Sequence, residues 1–126
     1  MEVQIKTKKQ NKMGINSTDT AYAFGQLGSG FVDTTGAFTP PTGKVIVAIQ
    51  FLADTNLAGL VADTAQGNDA AFFGTAAAVA GNGATGADSV SSTQIFPRGL
   101  TIYGRWTSVT LNAADSDGGI ICYFGE

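Results

Sequence analysis

The sequence predicts an all-β domain, an antiparallel β-sandwich or jelly-roll-like fold of six to eight short strands with a long Gly/Ala-rich loop excursion. Three observations lead there. Residues 44–53, "KVIVAIQFLA", and 118–125, "GGIICYFG", are short β-branched and aromatic runs, apolar on both parities. Such runs read as central strands buried on both faces. Residues 99–111, "GLTIYGRWTSVTL", form the strongest strand-like stretch and hold the single tryptophan. The one segment with helical character, "TAAAVAG" at 75–81, is hemmed in by glycines and extends to one or two turns at most.

In the first of these strands Val45, Val47, Ile49 and Phe51 share one face, with Ile46, Ala48 and Leu52 on the other. Val45, Val47, Ile49 and Phe51 are expected in the core, as are Ile121 and Tyr123 of the last strand. The third strand follows a turn, "FPRG", in which Pro97 presets its backbone angle and Gly99 closes the bend. From there Leu100, Ile102, Gly104 and Trp106 share a face, and Thr101, Tyr103, Arg105 and Thr107 share the other. Beyond Trp106 the apolar parity flips to Val109 and Leu111, which a one-residue bulge near Thr107–Ser108 explains. Gly104 leaves a gap across which a neighbouring ring, Trp106 being the candidate, can lie against the backbone. Ile102 and Trp106 are therefore expected in the core, because large rings dominate core energetics. Tyr103 and Arg105 are expected to point outward together, either as an ordinary wet strand face or as an anchor pair at a subunit contact.

At 126 residues the chain is a single domain, 1–126, with residues 1–18 as a basic N-terminal arm or edge strand. In "EVQIKTK", residues 2–8, Val3 and Ile5 alternate with Glu2, Gln4, Lys6 and Lys8. The lysines would discourage unwanted edge pairing. "AYAFGQL", 21–27, alternates weakly, and "GSGFVDTTGAFTPPTG", 28–43, holds turns around one short strand at most. The excursion from 54 to about 92 is rich in Ala, Gly, Asp, Asn and Thr, with Leu57, Leu60, Val61, Phe72 and Phe73 available to anchor short strands.

Charge is scarce and uneven. Only 13% of residues are charged, about half the usual share. The net charge is −3, yet Lys6, Lys8, Lys9 and Lys12 face a single acid, Glu2, within the first twelve residues. The remaining nine acids meet Lys44, Arg98 and Arg105. A charge-poor surface fits an assembly, since charge is depleted at interface centres, or a neutral polar monomer. The basic arm fits an anionic surface or the acidic flank of a neighbour, or is a solvated terminus. The acidic body argues against a direct nucleic-acid role. No signal peptide and no membrane-length apolar run is visible, so synthesis in a cytoplasm without membrane insertion is expected.

The chemistry points away from an enzyme. Histidine is absent, which removes the usual general base and the commonest zinc ligand. Cys122 is the lone cysteine, has no nearby cation in sequence and is expected to be a buried, inert thiol. "GNGATG" lacks the lysine and strand–helix context of a phosphate loop. Asp115 and Asp117 lie two apart in "NAADSDGG", a turn without the closing glutamate of a calcium loop. No catalytic residue, metal or cofactor is expected. A carbohydrate-binding domain, another class weighed on the sequence, would need an exposed aromatic platform, with Trp106 as the residue to probe.

Taken together, "PPTGKVIVAIQFLADT" (40–55) and "IFPRGLTIYGRWTSVTLNAADSDGGIICYFG" (95–125) combine a Pro-rich turn into a buried strand, an "FPxGxTIYGRW" strand and an aromatic last strand. In this the chain resembles the small structural proteins of tailed-bacteriophage virions, especially those of marine and cyanobacterial phages. Among them it is most like capsid decoration, or cement, proteins. The resemblance implies synthesis in a host cytoplasm, location on the capsid surface of the virion, the major capsid protein as partner and self-association as a homotrimer. The contact arm would be Val3, Ile5, Lys6, Lys8, Lys9 and Lys12, adding a strand to a capsid subunit's exposed edge. The subunit interface would be Tyr103, Arg105 and Arg98. A small tail, knob or fibre protein involved in host attachment is the alternative that the same resemblance allows.

Overall fold

A computed structural model of the chain describes residues 25–64, 72–75, 85–114 and 118–126. The arm residues Val3, Ile5, Lys6, Lys8, Lys9 and Lys12 lie outside that range, as do Asp115, Asp117 and most of "TAAAVAG".

The described residues are all-β, with no helix, and form one open antiparallel sheet of five strands. These are β1 (Ser29–Val32), β2 (Val45–Phe51), β3 (Leu57–Ala62), β4 (Thr101–Leu111) and β5 (Ile120–Gly125), in the spatial order β1-β5-β2-β4-β3. The two runs that are apolar on both parities, β2 and β5, occupy interior positions. That is where a strand gains most from carrying no polar face. β3 forms inside the long excursion, anchored by Leu57 and Leu60, both fully buried.

One face of the sheet is the core. It holds Ile46, Ile49 and Phe51 from β2, Leu57 and Leu60 from β3, Trp106, Val109 and Leu111 from β4, and Ile120, Cys122 and Phe124 from β5. Loop residues close it from above: the Phe96 ring stacks on Phe51 with centroids 4.9 Å apart, and Phe38 stacks near Phe124 at 5.9 Å. Backbone pairs hold both lids down, Phe38 with Val109 and Phe96 with Thr55. The turn at 97–100 forms as its sequence requires. Leu100 N–H donates to Pro97 O, and Gly99 takes the positive φ of 87° that a turn of this kind demands.

Bulges reconcile the strands' mixed parity with a single core face. β4 carries one extra residue, Thr107, between its pairings with Ala62 and Val61, so that Trp106, Val109 and Leu111 all face inward. On β2, Val47 is the extra residue relative to β5, and Ile46 and Ile49 are both fully buried on the core face although three positions apart. Val45 and Val47 are buried but stand outside the main core cluster, with Val47 beneath the turn at Gly25.

The last strand corrects an expectation. Ile121 and Tyr123 are half-buried on the face opposite the core, and Ile120, Cys122 and Phe124 fill it instead. Pairing sets this register: Ile120 lies across from Phe51 and Cys122 across from Ile49. With both parities apolar, the alternation in β5 cannot choose a face, and a one-residue difference inverts every side chain. The tyrosine hydroxyl favours the side where it finds a polar partner.

Trp106 is fully buried, as expected for the large ring of β4. Its ring lies over Gly104, where an added Cβ would come within 2.7 Å of the indole. The indole N–H donates to Phe73 O at 2.8 Å, and the Phe73 ring meets it edge-on at 5.5 Å. Ile102 is half-buried against the same cluster.

Candidate functional site

The face of the sheet opposite the core carries the exposed Tyr103 and Phe31 rings. Two rows cross it, read from the strand register. One runs Ser29–Tyr123–Ala48–Tyr103, the next Phe31–Ile121–Gln50–Thr101. Neither row contains a charged residue. Phe31 is 58% exposed and Tyr103 69% exposed, whereas Ala48 is buried between its neighbours.

These rows produce a depression. Tyr123 and Tyr103 are both register partners of Ala48, one on each side of β2. Their strands are therefore two spacings apart, roughly 9.5 Å. The small Ala48 side chain between two tyrosines leaves an open trough of about 580 Å³, closed at one end by the turn at 25–28. Tyr123 Oη donates to Gln50 Oε1 at 3.2 Å, which fixes the amide beside Thr101 and leaves its NH₂ group available at the trough. Sequence reading missed this site, because its floor is one unremarkable alanine whose neighbours come from three strands.

The expected outward pair does not stay together. Tyr103 stands free on the open face, while Arg105 is drawn into the chain's own structure. β4 has one extra residue relative to β2 between Tyr103 and Trp106, so the two side chains are not in simple alternation. The Arg105 guanidinium sits 3.4 Å from the Asp63 carboxylate, and Nη1 donates to Glu126 O. Asp63 N–H in turn donates to Arg105 O at 2.8 Å. Arg105 thus ties the end of β3 and the end of β5 to β4. Arg98 is exposed at the 97–100 turn, more than one strand end away, where its backbone N–H donates to Asp54 Oδ1. Exposed Ile95 and Leu100 flank it.

Two other candidate groups are withdrawn from solvent. Cys122 is fully buried in the core, and burial pushes its thiol up to about 12, so the nucleophilic thiolate is not formed near neutral pH. Trp106 has no exposed surface and is not an aromatic platform. No family model matches this chain, and no curated protein or solved structure matches it.

Proposed function

We propose that this chain is a structural virion protein that binds and stabilises a phage capsid shell as a decoration protein, in symmetric copies and without bond-making chemistry. The observation that carries the reading is the distribution of large apolar side chains on its surface. Phe31, Val61, Ile95 and Leu100 are exposed at the two outer strands and the 97–100 turn of a charge-poor domain. Apolar side chains exposed together, as Ile95 and Leu100 are on either side of Arg98, fit a surface that is covered in an assembly. The likeness of residues 40–55 and 95–125 to small virion proteins supports the same reading, as does a cysteine sealed in the core.

In this proposal the arm residues Val3 and Ile5, with the lysines around them, dock on a capsid subunit by strand addition. Arg98, Ile95 and Leu100 form the contact between copies. The sandwich or jelly-roll arrangement would place a second layer over the core face, where Leu27, Phe73 and Val90 already pack. A tail, knob or fibre protein that touches the host is the second reading, and the tyrosine trough is what favours it.

The test is co-sedimentation of purified protein with undecorated heads, followed by particle reconstruction. Bound density on the shell is expected, with binding lost on deleting residues 1–12. Density at the tail would favour the second reading, and no association with either would reject both. Ile95→Asp should shift the oligomer toward monomer in sizing experiments, and an unchanged oligomer would remove this turn from the contact.

A further inference from the structure

We infer that the trough between Tyr103 and Tyr123 is a binding site for a neutral saccharide, formed by two tyrosine rings, the Gln50 amide and the Ser29 and Thr101 hydroxyls over an Ala48 floor. The inference is independent of where on a virion the chain sits.

The argument starts from what lines the cavity. Its volume, about 580 Å³, is that of a small-ligand site. Among the described residues no Lys, Arg, Asp or Glu lies on its walls, so these walls offer nothing to balance an anionic or cationic ligand, whose desolvation would go uncompensated. A purely apolar ligand fits no better, because the walls alternate rings with amides and hydroxyls. What matches is a ligand that is uncharged, rich in groups able both to donate and to accept, and apolar on one flat side. A pyranose ring has that character: its C–H face can lie on the exposed Tyr103 ring while its hydroxyls meet Gln50 and Thr101, and Ser29, three strand spacings from Tyr103, would meet a further sugar of an oligosaccharide. Amides and hydroxyls suit this, since each can serve as donor and acceptor.

The backbone argues the same way against an extended peptide. At the floor of the trough, main-chain groups of β2 are spent in the ladders with β5 and β4. A peptide docking there could not add a strand, and would have to leave its own amides without sheet partners. A saccharide brings no such requirement. The trough is also pre-formed. Tyr123 is held by its hydrogen bond to Gln50, and the ring's Cβ lies against Gly25 so closely that a side chain there would collide with it. Tyr103, 69% exposed, has freedom to settle on a ligand.

Native affinity electrophoresis of the full chain tests this, with gels containing dextran, mixed-linkage β-glucan, mannan or, as the charged comparison, hyaluronan. Retardation is expected in at least one neutral polysaccharide and not in hyaluronan. Tyr103→Ala should weaken that retardation roughly tenfold or more, as loss of a central aromatic contact does. Tyr103→Phe, which keeps the ring, should retain most of it, and both variants should melt with the parent protein. Phe31→Ala, outside the trough, should bind as the parent does. Unretarded migration in every neutral gel would overturn the inference. So would binding to hyaluronan alone, or full binding by a folded Tyr103→Ala variant.

Discussion

The two faces of this sheet are built from the same strands and could hardly differ more. On one side Ile46, Ile49, Phe51, Trp106, Val109, Ile120 and Cys122 are closed off from water beneath Phe38, Phe73 and Phe96. On the other, Tyr103 and Tyr123 flank an alanine floor, and Phe31 stands exposed in the neighbouring row. The first face carries stability, because burying those side chains removes apolar surface from water. The second buries Ala48 but leaves Tyr103 and Phe31 open to solvent. The difference teaches that strand alternation alone does not assign the faces. Bulges at Val47 and Thr107 each shift the parity by one, always so that the core side stays filled.

The comparison breaks most severely at Trp106. Trp106→Ala removes the largest buried side chain and the hydrogen bond to Phe73 O. It should cost roughly 3–5 kcal/mol in a denaturant titration. A loss below about 1 kcal/mol would mean that the indole does not organise the core face. Gly104→Ala comes next. Its new methyl would sit 2.7 Å from the same ring, and overpacking of this kind costs about 1–3 kcal/mol. An unchanged melting temperature would show that the ring does not lie over that backbone.

Cys122 sharpens the comparison through pH. Its folded-state value is raised from 9.0 to about 12 by burial, so the unfolded chain gives up the thiol proton first as pH rises. Stability from this group is whole below pH 9 and falls between pH 9 and about 12, by roughly 1.4 kcal/mol per pH unit. The parent protein should therefore lose stability more steeply over that window than Cys122→Ala, measured by parallel denaturant titrations. Parallel slopes would place the thiol in contact with water. The smallest effect belongs to the open face. Tyr103→Ala should change stability by less than about 0.5 kcal/mol, as exposed positions do. A larger loss would make Tyr103 part of the fold rather than of a surface.

Much of the fold could be read directly. β2 and β5 announce themselves as interior strands by being apolar on both parities, and the flip after Trp106 announces the bulge at Thr107. Gly104 beside a tryptophan two residues on signals the close approach that the ring makes. The candidate site was much less legible. Arg105 looks like a free surface cation until Asp63, 42 positions earlier, and the carbonyl of Glu126 are brought beside it. Ile121 and Tyr123 look like core residues until pairing with β2 turns Ile120 and Cys122 inward instead. A polar tip on Tyr123 was the one signal that could have separated the two parities of β5.

Local composition was enough to establish the all-β character of the described residues, their interior strands, the buried tryptophan and the shortage of charge, because these depend on side-chain volume, branching and hydropathy within a few residues. Which side of β5 faces the core, what Arg105 holds, and that Ala48 lies between two tyrosines depended on register between strands far apart in the chain. Register is a cooperative outcome of pairing and packing, and no window of adjacent residues contains it.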